Sequence, residues 1–152
     1  MAKAKSEEHT IKSNIFLKSA TLKKSESSLL VEDLPDGAGT VTIETTINLR
    51  IPSDEGEITS FGVLVSVHVT GFPKKEGEAE PDAIFSILSE YVGNFAAANG
   101  PIKVSELLEN LKPYMDQVYP LVVQHCKDLA MRMNVKNFKI PLALPTTLEE
   151  IK

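Results

Sequence analysis

Alternating apolar and polar positions mark two strands in the first half of the chain. From Val41 to Ile51 the odd-numbered residues are mostly apolar and the even-numbered ones polar, which is the two-residue period of a half-buried β-strand. The same period returns from Phe61 to Val69. Residues 52–57 between them carry Pro, Ser, Asp and Gly, so we predict that the two strands pair as an antiparallel hairpin.

Two further segments, residues 10–24 and 83–91, also read as strands but are apolar on both faces. Their apolar residues are Ile11, Ile15, Phe16, Leu17, Ala20, Leu22, Ile84, Phe85, Ile87 and Leu88. In the first segment, simple alternation puts Ala20 and Leu22 on the other face of the strand from Leu17. One face of an antiparallel sheet commonly meets water. We therefore expect the second face to be covered by another subunit or a partner.

A helical period replaces the strand period in the last third of the chain. From Tyr119 onward, apolar residues recur every three or four positions with polar residues on the other side. This pattern predicts one amphipathic helix of about four turns, with Pro120 accepted in its first turn. Near Ser105 we predict a short turn of helix that Pro113 interrupts.

Two segments outside these elements carry apolar residues where polar ones are usual. The predicted loop over residues 25–40 contains Leu29, Leu30, Val31 and Leu34, although surface loops are generally polar. Residues 138–145 alternate apolar and other residues around two prolines. That second pattern favours an extended segment excluded from the centre of a sheet. Packing against the core and binding of a partner both remain open for these segments.

Composition and motifs exclude several function classes. The net charge of -5 and the single cysteine argue against a broad nucleic-acid surface, an intramolecular disulfide and a zinc knuckle. No run approaches the ~20 apolar residues of a membrane span, so we predict a cytoplasmic protein without membrane insertion. The three histidines are scattered, and the sequence contains no nucleophile elbow, HExxH motif or phosphate-binding glycine loop. We therefore predict no enzyme activity, no catalytic or metal-ligating residues and no cofactor.

The order of these elements resembles that of the SecB-type protein-export chaperones over about residues 9–148. The local matches are Ile84-Phe85-Ser86-Ile87, Gly93-Asn94-Phe95, Val118-Tyr119-Pro120 followed by Cys126, and the apolar-proline segment from Phe138 to Pro145. The resemblance implies an α+β fold, a four-stranded antiparallel sheet with one long amphipathic helix packed on one face. It also implies a homotetramer built as a dimer of dimers.

The same resemblance implies a holdase, an ATP-independent chaperone that binds unfolded polypeptide clients in apolar grooves. The residues that it assigns to the client groove are Leu29, Leu30, Val31, Leu34, Phe138, Ile140, Leu142, Leu144 and Leu148. The residues that it assigns to the oligomer interface are Tyr119, Val122, Val123, Cys126, Leu129 and Met133.

Departures from the family pattern limit which partners we expect. We predict an N-terminal tail over residues 1–9, a SecB-like domain over 10–148 and a short C-terminal end over 149–152, without the long tail that docks the translocase motor SecA. Residues 18–24 carry lysines where the family's SecA-facing surface is acidic, so SecA docking is not expected. Two alternatives stay open: a chaperone dedicated to an antitoxin in a toxin-antitoxin-chaperone system, and a carrier of a small ligand or lipid.

Overall fold

A four-stranded antiparallel sheet and one long helix form most of the computed structural model, which describes residues 15–35, 39–53 and 55–136. The elements are β1 (Ile15–Leu29), β2 (Thr40–Arg50), β3 (Glu57–Ile58), β4 (Ser60–Phe72), β5 (Phe85–Ala97), β6 (Ile102–Lys103), α1 (Val104–Glu109) and α2 (Lys112–Arg132). The large sheet has the order β1-β5-β4-β2, and β3 pairs with β6 in a separate two-stranded sheet. The predicted α+β architecture and the β2–β4 hairpin are confirmed.

The core lies between α2 and one face of the sheet. The odd-numbered residues of β4 from Val63 to Val69 are at most 1% exposed, and Phe85, Ile87 and Phe95 of β5 lie beside them. From Leu64 to Phe72 the even-numbered residues of β4 are half-buried, because successive side chains of a strand point to opposite faces. The described elements therefore leave the other face of the sheet, here called the helix-free face, without a covering layer.

The long helix begins earlier than the sequence predicts. It starts at Lys112 and runs for 21 residues, so Pro113 stands in its first turn and Pro120 lies in its interior. Proline fits a first turn because the N–H group there has no partner within the helix. Inside the helix, Pro120 removes one hydrogen bond, the one that would reach the carbonyl of Asp116. Its exposed position lets water satisfy that carbonyl.

Strand β1 is longer and less regular than predicted. Its register shifts after Leu17, which lies opposite Phe95, so that Ala20 lies opposite Gly93. Because residues opposite each other in an antiparallel pair point to the same face, Ala20 and Leu22 share the face of Leu17, which is the face on which α2 packs, although both remain exposed. The prediction that placed them on the other face was wrong, since a bulge inserts one extra residue and inverts the alternation.

Candidate functional site

Exposed apolar side chains lie at the end of β1. Leu29 closes the strand opposite Phe85, and the next residue, Leu30, donates its backbone N–H to the carbonyl oxygen of Ile84 at 2.8 Å. The leucines are 40% and 52% exposed. The backbone here is thus held by β pairing while two large apolar side chains stay in contact with water.

The C-terminal end of α2 lies at this same end of the sheet. The ring centroids of Tyr114 and Phe95 are 5.3 Å apart, and those of His125 and Tyr91 are 6.0 Å apart. Later helix residues thus lie beside earlier β5 residues, so α2 runs antiparallel to β5. The helix therefore runs towards the end of the sheet at which β5 begins with Phe85, which pairs with Leu29.

The two segments predicted to form the client groove start from this one end. After α2, Met133 and Val135 pack against the core, and the N–H of Val135 donates to the carbonyl of Ala130 at 2.9 Å. Leu34 also packs against the core, and Val31 is half-buried. The structure therefore divides the predicted loop residues into two exposed leucines and two that are partly covered. The remaining predicted groove residues, which lie outside the described residues, are Phe138, Ile140, Leu142, Leu144 and Leu148.

The helix face predicted to join subunits is instead part of the core of one chain. Tyr119, Val122, Val123, Cys126 and Leu129 are at most 6% exposed, and Met133 is half-buried. The five buried side chains leave almost no surface for a second subunit, which argues against their assignment to an oligomer interface, whereas Met133 keeps part of its surface. On its other side α2 exposes Leu121 at 38% and Met131 at 74%.

Burial also makes Cys126 chemically inert. Desolvation raises the pKa of the Cys126 thiol from 9.0 to about 12, because a thiolate is poorly stabilised in an apolar interior. Burial, followed by the charge of Cys126, also raises the pKa of Tyr119. Since the thiolate is the reactive form of cysteine, this position has neither the access nor the ionisation of a nucleophile.

We expect Cys126 to resist thiol reagents in the folded protein. At pH 8, Ellman's reagent should titrate essentially no thiol in native protein and one thiol per chain in 6 M guanidinium chloride. The reason is the combination of burial and a raised pKa described above. Rapid stoichiometric reaction without denaturant would show that α2 separates readily from the sheet.

A histidine on the helix-free face links three strands. The Nε2 atom of His68 lies 3.0 Å from the hydroxyl oxygen of Ser86, and its Nδ1 atom lies 3.7 Å from Oε1 of Glu44. For Ser86 to act as a nucleophile, oxyanion donors and a substrate pocket would also be required. The Glu44 side chain is instead 77% exposed, so the three residues lie on an open surface. We assign this group to cross-strand pairing. Sequence reasoning missed it because the three residues come together only through strand order.

A groove of mixed polar and apolar lining opens elsewhere on the sheet. It has a volume of about 600 Å³, and we call it the Gly62 groove. Its lining residues are Lys18, Ser19, Arg50, Ile51, Pro52, Ser60, Phe61, Gly62, Asn94, Phe95 and Ala96. None of them was predicted as a site residue. They lie far apart in sequence, on β1, β2, β4 and β5 or just after β2, and only the sheet brings them together.

The part of the chain that the structure describes contains neither a membrane-crossing helix nor a metal-binding cluster. None of its helices combines the length and apolarity needed to cross a membrane. No cluster of three or more His, Cys, Asp or Glu side chains within residues 15–35, 39–53 and 55–136 has the arrangement to hold a metal ion.

Comparison with known proteins gives a structural match without a sequence match. No protein-family model and no curated protein matches the chain. Among solved structures, the chain is similar to the SecB-like chaperone Rv1957 of Mycobacterium tuberculosis, in complex with a ChAD peptide from the Rv1956 HigA1 antitoxin. The TM-score is 0.61 at 15% sequence identity, over 91% of this chain and 91% of that one. The fold is SecB-like. This SecB-like fold agrees with the element order read from the sequence.

Proposed function

We propose that this chain is an ATP-independent holdase chaperone of the cytoplasm that binds non-native polypeptides at the apolar surface around Leu29 and Leu30. The exposure of these two leucines at one end of a SecB-like sheet is the observation that carries the proposal. In this proposal the client groove continues into Phe138, Ile140, Leu142, Leu144 and Leu148. Val31 and Leu34 support its floor.

Exposed leucines beside a sheet edge suit an unfolded client. An unfolded chain offers apolar side chains together with unpaired backbone N–H and C=O groups. β1 and β2 are the edge strands of the large sheet, and an edge strand can accept an extended peptide through its free backbone groups. Apolar contact at Leu29 and Leu30 would add affinity without demanding a particular client sequence.

A single dedicated client is the second candidate. The observation that favours it is the peptide in the similar structure, which comes from an antitoxin. A dedicated chaperone should bind one client far more tightly than unrelated unfolded chains, because specificity is a difference between affinities. Comparing binding to an antitoxin encoded beside the gene with binding to several reduced, unfolded proteins separates the two candidates.

We also propose assembly into a homotetramer, a dimer of dimers, through surfaces that the single chain leaves exposed. The outer face of α2 with Leu121 and Met131 is one such surface. The outer edge of β1, which pairs with no further strand among the described residues, is another. Sedimentation velocity at micromolar concentration tests this proposal, and a monomer would contradict it.

Suppression of aggregation tests the holdase proposal directly. The purified protein is mixed at equal molar ratio with a chemically unfolded, aggregation-prone protein, and light scattering is followed without nucleotide. We expect the scattering to fall strongly, because occupied apolar segments of the client can no longer associate. Unchanged aggregation at a severalfold excess of the protein would contradict the proposal.

Leu30→Glu should weaken client holding selectively. A charge at this half-exposed position opposes the burial of an apolar client segment, and we expect roughly a tenfold loss of affinity, or ~1.4 kcal/mol. The measurement is anisotropy of a labelled unfolded client. The matched control is Leu108→Glu, because Leu108 is 44% exposed and lies on α1, beyond the opposite end of β5. Equal losses in both variants would show that the Leu29–Leu30 surface is not the groove.

A further inference from the structure

The Gly62 groove includes one position in a row of the sheet that has no side chain. On the helix-free face, Gly62 lies between Arg50 of β2 and Asn94 of β5. A Cβ atom placed on Gly62 would lie 3.5 Å from Cβ of Arg50 and 3.6 Å from Oδ1 of Asn94. The missing side chain therefore leaves a depression flanked by a cation and an amide.

The polar groups around this depression are set to receive an anion. The Nδ2 atom of Asn94 donates to the hydroxyl oxygen of Ser19 at 3.2 Å, which fixes the amide and leaves the hydroxyl proton of Ser19 available to a ligand. Ser60 contributes a second hydroxyl group to the lining. Hydroxyl donors and a guanidinium group together match the acceptor oxygens of a carboxylate.

The two cations of the groove, Lys18 and Arg50, have no carboxylate partner among the described residues. Three of the nine described lysines do have one: Lys24 lies 4.0 Å, Lys75 2.9 Å and Lys112 2.8 Å from an acidic oxygen. The groove lining itself contains no Asp or Glu. In a chain of net charge -5, this is a local excess of positive charge inside a concave surface.

We propose that the Gly62 groove binds an acidic peptide segment of a partner protein, with Arg50 and Lys18 contacting Asp or Glu carboxylates. A volume of about 600 Å³ lies within the roughly 300–1,000 Å³ of ligand sites and has room for a few residues. Nucleic acid fits less well, because its binding rests on many phosphate contacts and the same face carries Glu44 and Glu90. This site is separate from the proposed client surface and independent of it.

Charge variants test the groove. The probe is a fluorescein-labelled decapeptide of alternating Glu and Ser, followed by anisotropy at low ionic strength. We expect Arg50→Gln and Lys18→Gln each to weaken binding about tenfold, as for loss of a charge-assisted hydrogen bond. Arg132→Gln, on exposed α2 surface, removes the same charge away from the groove and should leave binding unchanged. Salt should weaken binding to the unaltered protein.

A steric variant tests the groove without altering charge. Gly62→Val fills the depression, and valine suits a strand, so thermal melting should be unchanged while peptide binding is lost. The same decapeptide with Gln in place of Glu should not bind. The proposal is overturned if the Glu peptide fails to bind at millimolar concentration, if Arg132→Gln weakens binding as much as Arg50→Gln, or if single-stranded RNA competes as well as the peptide.

The aggregation assay keeps this proposal separate from the holdase proposal. Arg50→Gln should suppress client aggregation as well as the unaltered protein does, because the groove lies away from Leu29 and Leu30. If peptide binding persists while aggregation is unaffected by the protein, only the holdase proposal fails. If aggregation is suppressed and the peptide does not bind, only the groove proposal fails.

Discussion

Val122→Glu should unfold the chain rather than separate its subunits. Val122 is 0% exposed and packs in the core between α2 and the sheet. A carboxylate there loses its hydration without gaining a partner. We expect the free energy of unfolding to fall by about 4 kcal/mol or more, measured by urea denaturation followed by circular dichroism.

The neighbouring residue provides the control for this prediction. Leu121 is 38% exposed, so Leu121→Glu places the same charge one position away in water and should change the stability of the protomer by about 0.5 kcal/mol or less. If α2 joins subunits through its outer face, Leu121→Glu should instead reduce the sedimenting mass. A Val122→Glu protein that melts normally but sediments as a smaller species would show that the buried face is the subunit contact after all.

The pair also shows what helical periodicity can and cannot predict. The three- and four-residue spacing correctly identified the apolar face of α2, since a helix buries one stripe of side chains wherever it packs. It does not tell whether the covering surface belongs to the same chain or to another, because the burial of apolar area is favourable in both cases. Only the position of the sheet beneath Val122 and Cys126 distinguishes them.

Strand prediction succeeded where alternation was regular and failed where it was interrupted. β2 and β4 pair without a register shift, so the period of two continues along both strands and their faces follow from the sequence. In β1, a register shift after Leu17 inverts the alternation as far as Leu22, and a second shift after Leu22 restores it from Lys24 onward. A bulge depends on the partner strand as well as on the local sequence, so its position could not be derived from residues 15–29 alone.

The two candidate sites differ in how much of them the sequence reveals. Leu29 and Leu30 are conspicuous as apolar residues in a predicted loop, and the structure shows them exposed at the end of β1. The Gly62 groove has no such local signal. Lys18, Gly62 and Arg50 lie on three strands, and only the strand order β1-β5-β4-β2 and its register bring them around one depression.

Gly93→Ala should loosen the contact between α2 and the sheet. A Cβ atom on Gly93 would overlap Cγ2 of Val118 and would also lie 3.1 Å from Cε1 of Phe95 and 3.3 Å from Cδ1 of Leu17. All three neighbours belong to the packed interface below the helix, so relief requires the helix to move. We expect a loss of about 1–3 kcal/mol in the free energy of unfolding, measured by urea denaturation.

Gly62→Ala is the matched control, since it adds the same methyl group to the other face of the sheet. Its Cβ atom would make ordinary contacts of 3.5–3.6 Å. Because glycine within a strand costs about 0.5–1 kcal/mol of stability relative to alanine, this variant should be as stable as the unaltered protein or slightly more stable. Equal destabilisation of both variants would mean that the closeness of α2 to β5 does not set the need for glycine at residue 93. Destabilisation of Gly93→Ala but not of Gly62→Ala would show that the absence of a side chain at residue 93 allows α2 to lie so near the sheet.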